Sequence, residues 1–331
     1  ALSVIQLATN RNIIMNVFID TNIYFTFYNL SSESIEELKK ALILHKENRI
    51  TLWLPELIIN EFWRNRAGEI GRLTKDFKKN VTLQIPQLVL ADEKSPELIE
   101  IQKQLNKTKS EIARNLENKI LSETLDADIA VKEIFEASNR LDNTDKLVAK
   151  SITRFDLGNP PGKNGSYGDA VNWESLLENL PDDEDLYVIS NDGDYYSPVD
   201  TNTINEYLSH EWQTKKASKV IAYRRLSQFI ATHFPEAKTA AELERNIAID
   251  VLAESTSFSD SHDAIKRLTG FEEYTQAQVV RIISIYHDNT QVRWIATDTD
   301  IKGFGKHLVD TYPDYIEAET LEKFRELINY A

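Results

Sequence analysis

Through residues 12–19 the chain runs almost unbroken through apolar and β-branched side chains, IIMNVFI, and stops at Asp20. A short apolar run closed by a polar residue predicts a buried strand. The pattern then changes at Thr21-Asn22, where Asn22 suits the N-cap of a helix through the aromatic segment IYFTFY. Residues 33–47 place apolar side chains at 35, 38, 42 and 43 between charges, the spacing of an amphipathic helix. ITLWLP (50–55) predicts a second short strand, and Pro55 suits the first turn of the helix ELIINEFWRNRAGEI. Strand, helix, strand, helix in this order predicts an α/β fold with a parallel sheet.

The middle of the chain differs. Ser95-Pro96 opens a long helical stretch with apolar positions at 98, 101, 105, 112, 116 and 120, followed by shorter helical segments near 128–138 and 144–153. This predicts a helical insertion over about 70–153. A loop dense in Gly, Pro and Asn, RFDLGNPPGKNGSYGD (154–169), follows. After it come a helix, DAVNWESLLENL, an acidic turn, PDDED, and a strand, LYVISND. KKASKVIAYRRLSQFIATHF (215–234) reads as one amphipathic helix ending before Pro235. Residues 238–331 predict a small, mainly helical C-terminal domain with one strand-like piece, VRWIATD, after which Asp298 and Asp300 either mimic a metal site or, the favoured reading, form a strand-end turn. The organisation expected is therefore an extension at 1–14, an α/β domain at 15–235 and the C-terminal domain. Met15, the only methionine, directly precedes the first strand signal; it is either a natural start, with 1–14 an upstream extension, or a core residue.

Composition narrows the chemistry. With no cysteine, disulfides, thiolate metal sites and cysteine nucleophiles are excluded, and a reducing, cytoplasmic setting is expected. No apolar run reaches the roughly 18 residues of a membrane span, so no membrane partner is expected. Net charge is −15, from 38 basic and 53 acidic residues. That opposes phosphate binding unless cations offset the acids locally.

The acids fall at informative places. In parallel α/β folds ligands collect beyond the carboxyl ends of the strands. Asp20 ends the first strand, Asp192 ends LYVISND with Asp194 two residues on, Asp169 begins a helix, and Glu61 lies about two turns into the helix after ITLWL. Taken singly, each reads as a turn, a cap or a solvated face. Jointly, four chain segments deliver an acid to one rim. Carboxylates so placed need a counter-charge. Without Cys or His in these segments, Mg²⁺ or Mn²⁺ with oxygen ligands is the expected cofactor, and water activated by the metal the expected nucleophile.

FIDTNIY (18–24), LPELIINEFWRNR (54–66), LGNPPGKNGSYGDAVNWE (157–174) and VISNDGDYYS (188–197) together resemble the four motifs of a PIN-like domain, in order, specifically its larger bacterial branch. The resemblance spans roughly 15–200 and extends to the helix expected to about 235. It implies a Rossmann-like sheet and a metal-dependent nuclease acting on phosphodiester bonds, usually of RNA, so an endoribonuclease is expected. It assigns catalysis and metal binding to Asp20, Glu61, Asp169 and Asp192, with Asp194 a helper in metal binding. It also suggests a bacterial toxin or phage-defence effector. The chain departs from compact members in its long gap between Glu61 and Asp169 and in its added C-terminal domain, which leaves the substrate open. A DNA-directed nuclease, and a binding or regulatory module that does not cut, are the alternatives; an aspartyl-nucleophile phosphatase is weakened by Asn22, which stands where a second acid would be needed.

Nucleic-acid contacts are expected from Asn22, Arg64, Arg66, Lys163, Lys215 and Lys216. Residues 62–80 hold six basic residues against two acids and lead away from Glu61; residues 215–225 add five more with no acid. Phe62, Trp63 and Tyr24 offer stacking surfaces or fill the core, the core being favoured for Trp63. The loop before Asp169, with four glycines, two prolines and Lys163, suits either phosphate binding or the aiming of Asp169. Self-association or a regulatory protein is the further partner expectation.

Overall fold

Met15–Ile19 form the first strand, β1, of a five-stranded sheet. Val17, Phe18 and Ile19 are all buried, as an apolar run without alternation requires when both faces of a parallel sheet are covered. The computed structural model describes residues 14–28, 34–79, 81–83, 85–162, 167–235 and 238–329; the expected extension thus lies almost wholly outside the described residues, as does Lys163. The chain divides into two compact units, residues 1–233 and 234–331.

In the first unit β1 is followed by α1 (Thr21–Thr26), α2 (Ile35–Lys46), β2 (Ile50–Pro55), α3 (Glu56–Lys78), α4 (Ser95–Leu121), α5 (Asp126–Ala137) and β3 (Asn139–Leu141). Then come α6 (Asp145–Asp156), α7 (Gly168–Asn179), β4 (Leu186–Ile189), α8 (Glu206–Lys216), β5 (Val220–Tyr223) and α9 (Leu226–His233). All strands are parallel, in the order β3-β2-β1-β4-β5. The order reverses between β1 and β4, whose register pairs Phe18 with Val188 and Ile19 with Ile189. A switch point of this kind opens a crevice at the carboxyl ends of the two strands. Helix α2 packs on α5 and α9, whereas α7 packs on α3, α6 and α8.

Several expectations are corrected. The segment expected as one helix over 215–234 contains β5. Ala217 adopts a left-handed conformation (φ 56°) that ends α8, and the run VIAY pairs with β4. The expected insertion over 70–153 is only partly an insertion. α5 packs on α2, and β3, three residues long, is the edge strand beside β2; so short a strand leaves no periodicity to read. Only α4 and the end of α3 on which it packs stand out as an arm, and on α4 Leu98, Ile101, Leu105 and Ile112 stay exposed. The cap of α1 is Asp20, whose carboxylate accepts from Thr21 N at 2.7 Å, and not Asn22.

The second unit comprises α10 (Ala240–Ala253), α11 (Phe258–Thr269), α12 (Gln276–Asp288), α13 (Thr290–Trp294), α14 (Thr299–Thr311) and α15 (Ala318–Leu327) around an apolar core that includes Leu252, Ile282, Tyr286 and Phe324. VRWIATD is no strand: Asn289 accepts from Gln291 N and Val292 N and starts α13 instead. Asp298 and Asp300 open α14, and both reach His262, at 3.5 and 2.8 Å. The hydrogen bond that His262 makes to Asp300 raises the pKa of His262. Among the described residues no helix is long and apolar enough to cross a membrane.

Arg66, expected at a nucleic-acid surface, is buried. Its Nε and Nη2 grip Asp128, which is also fully buried, and its Nη1 donates to Ile120 O. This ties α3 to α5 and to the end of α4. Removing one partner of such a pair strands the other charge. Arg66→Met is expected to lower unfolding free energy by about 3–5 kcal/mol, read by urea denaturation, and Asp128→Leu added to it to recover most of the loss. Equal stability of Arg66→Met and wild type would overturn this role.

Candidate active site

Asp20 leaves β1 at the switch point and is only 4% exposed. Its amide extends the ladder to Ile189 O at 2.9 Å. Its carboxylate accepts three hydrogen bonds: Thr21 N on one oxygen (2.7 Å), and Asn22 Nδ2 and Ser190 Oγ on the other (both 2.6 Å). Asn22 also accepts from Asn191 N at 3.0 Å. Both ends of its amide thus brace β1 against β4.

The neighbouring acids are set by the same two strand ends. Thr21 Oγ1 donates to Glu61 Oε2 at 3.1 Å, linking the start of α1 to the second turn of α3. Ser190 Oγ accepts from Asp192 N at 3.0 Å, and Asp192 Oδ1 from Asp194 N at 2.8 Å, closing the short 3-10 turn Gly193–Tyr195. Gly162 N donates to Asp194 Oδ2 at 3.2 Å, so the glycine-proline loop meets this turn. Gly162, at φ 112°, adopts a conformation open chiefly to glycine. Asp169 is the second residue of α7.

Asp169 is aimed from behind. Arg154 is buried on α6 and donates to Glu174 on α7, to Glu211 on α8 and to Pro160 O in the loop. Trp173 Nε1 also donates to Glu211, at 2.8 Å. The cation joins three helices and the loop that precedes Asp169.

The electrostatics show that the acids share one field. Burial raises the pKa of Asp20 to about 6 against the lowering bonds from Ser190 and Thr21, with repulsion from Glu61 and Asp192 adding to the rise. Burial raises Asp169 to about 8, reinforced by Asp20, Asp192, Glu61 and Asp194. Tyr195 is driven far up, first by burial and then by Asp20, Asp169, Asp192 and Glu61. Its hydroxyl is buried with no hydrogen-bond partner among the described residues, a state that costs about 1–3 kcal/mol.

An all-oxygen, strongly repelling donor set suits a hard divalent cation. The carboxylates nonetheless form no closed cage: among the described residues no three His, Cys, Asp or Glu side chains are already arranged to hold a metal ion. Their oxygens are partly engaged by Thr21, Asn22 and Ser190.

Of the other residues expected to bind nucleic acid, Arg64 is exposed, has no ion pair among the described residues, and lines a cleft with Glu61. Lys215 is exposed and bound to Glu211 at 2.9 Å. Lys216 is corrected: it is buried, its ammonium held by Leu180 O and Asp182. Tyr24 and Phe62 are core residues and offer no stacking face. Trp63 is half-buried, with the Lys132 and Arg66 cations over its ring. Sequence reading missed Ser190, Arg154 and Tyr195. Only Ser190 carried a signal, standing directly after a strand and two residues before Asp192.

An open parallel sheet with acids gathered at its switch point defines the class. A family model described as PIN domain matches residues 17–195, and the chain belongs to the PIN domain family. Members of that family are generally metal-dependent nucleases that use divalent ions such as Mg²⁺. No curated protein and no solved structure matches the chain.

The raised carboxyls set a pH dependence. A group whose folded pKa exceeds its unfolded value holds its proton more tightly when folded. Its contribution is complete below the unfolded value, 3.8, and is lost as pH rises to about 6 for Asp20 and about 8 for Asp169. In chelator, the melting temperature is therefore expected to fall across this window. Asp169→Asn should flatten the decline between about pH 6 and 8; a variant profile parallel to wild type would contradict the shared field.

Proposed function

We propose that this chain is an endoribonuclease that hydrolyses phosphodiester bonds with Mg²⁺ or Mn²⁺ held by Asp20, Glu61, Asp169 and Asp192, with Asp194 assisting. The observation that carries the reading is the single electrostatic field joining these acids, from four chain segments, at the switch point of the sheet. When bound, the metal would activate water and offset charge building on the scissile phosphate. The chain's own residues do the positioning. Asp20 is fixed by three donors, Glu61 is joined to it through Thr21, and Asp192 is joined to it through Ser190. Asp169 is aimed by the Arg154 junction. RNA is preferred on family grounds, as is a role in growth limitation or phage defence.

The test uses the full chain with labelled single-stranded RNA, single-stranded DNA and a structured RNA, in Mg²⁺, Mn²⁺ or chelator. Metal-dependent cutting is expected, strongest on RNA, and reduced by roughly 100-fold or more in Asp20→Asn and Asp169→Asn while oligonucleotide binding persists. Cutting that survives both substitutions would place the chemistry elsewhere. Binding without cutting of any substrate would leave a binding module. Preference for DNA would change the substrate but not the site.

Ser190 supports two ligands at once, since its hydroxyl donates to Asp20 and accepts from Asp192 N. Ser190→Ala is expected to weaken metal affinity or activity by roughly 10–100-fold, measured by metal titration of the rate. An unchanged metal dependence would remove Ser190 from this role.

A further inference from the structure

Between α3 and α7 lies a cleft of about 300 Å³ lined by Leu57, Glu61, Arg64, Tyr167, Gly168 and Val171. The first three form one stripe of α3 at helical spacing. The last three surround the start of α7, one residue before Asp169. One wall of the cleft is therefore Glu61, and its other wall begins beside Asp169. Three features of the lining point to a ligand. Arg64 is exposed, has no ion pair among the described residues, and presents a guanidinium whose planar fork matches phosphate. Tyr167 is 43% exposed although its ring lies against Phe155, with centroids 4.2 Å apart. Leu57 and Val171 supply apolar walls. An aromatic face, an apolar wall and a cation in one small cleft match one unpaired nucleotide, its base on the ring and its phosphate on the arginine. The volume is at the lower limit of the roughly 300–1,000 Å³ of small-ligand clefts; a duplex would present its bases already stacked and paired.

We infer that this cleft is a subsite for one unpaired nucleotide adjacent to the scissile phosphate, with Tyr167 as stacking platform and Arg64 as phosphate clamp. The inference rests on the nuclease reading for the identity of that phosphate, but binding in the cleft does not. A ring that accepts any base from an unpaired strand makes the subsite select single strands over duplex with little preference for sequence.

The experiment uses the full chain and short single-stranded oligonucleotides, RNA and DNA in separate arms, some with a single abasic position moved stepwise along the strand. Binding is read by fluorescence anisotropy in chelator and cleavage by initial rates in Mg²⁺. Tyr167→Ala is expected to weaken binding and raise KM about tenfold, with kcat little changed, and Tyr167→Phe to restore wild-type values. One abasic position should cost wild type the same factor and cost Tyr167→Ala nothing further. Arg64→Gln should reduce the slope of log affinity against log salt by about 0.7.

The inference is overturned if Tyr167→Phe fails as badly as Tyr167→Ala, if the abasic penalty adds to that of Tyr167→Ala, or if duplex binds as tightly as single strand. Should no substrate be cut while the anisotropy differences hold, the subsite stands and the nuclease reading falls. Should cutting occur without those differences, the reverse follows.

Discussion

Gathering carboxylates at one end of a sheet is unfavourable, and much of the first unit is arranged around holding them there. Each acid comes from a different segment: the end of β1, the second turn of α3, the start of α7 and the turn after β4. Burial, with their mutual repulsion added to it, lifts Asp169 to about 8 and Asp20 to about 6. The strain is contained by fixing the backbone on which the acids sit. β1 and β4 are paired through Ile19 and Ile189, and the ladder continues by one bond through Asp20 N. A hydroxyl and a carboxamide then bridge the two strand ends, Ser190 from β4 and Asn22 from the helix after β1. The cost of the site is met by rigid elements beneath it, a common division between scaffold and function.

Asp169 has no strand to stand on, and a different device holds it. Arg154 is buried and satisfied by two carboxylates and a carbonyl. A buried cation is costly unless so completely paired, and such a network contributes more to geometry than to net stability. Here it fixes α7 relative to α6 and α8 and holds the proline loop, whose Gly162 amide meets Asp194. The same logic appears at Arg66 and Asp128, which set α3, the helix that carries Glu61. Two buried arginines thus set the two helices that bear acids, and hydroxyl and amide struts reach Asp20, Asp192 and, through Thr21, Glu61.

The contrast between what could be read from sequence and what could not follows from this. β1, β2 and β4 are the interior strands, apolar and mostly buried, so their residues announced them, and with them the parallel sheet and the acids at their ends. β3 and β5 are edge strands of three and four residues. β5 sits among lysines and arginines that complete a helical pattern on paper, and only the left-handed turn at Ala217 breaks it. The basic residues misled for a related reason. Charge in a sequence is read as exposed, yet Arg66 and Lys216 are buried because their partners, Asp128 and Asp182 with Leu180 O, lie 62, 34 and 36 residues away. Asn22 was taken for the cap of α1, whereas Asp20 holds that place and Asn22 bonds to Asp20 and, beyond it, to Ser190 and Asn191. Long-range pairing, not local propensity, decided the fate of the two cations.

Net charge gives the same lesson at the scale of the molecule. A chain at −15 gains little from long-range attraction for a polyanion, since exposed charges beyond about 8–10 Å are largely screened at physiological salt. Recognition must then be local. Lys78 and Arg72 are already paired with Glu117 and Glu69, and Lys215 with Glu211. Arg64 differs in its setting rather than its charge. It stands three residues after Glu61, on the same helical face, in a cleft with an aromatic wall. A single cation at contact distance from a bound anion is little affected by screening.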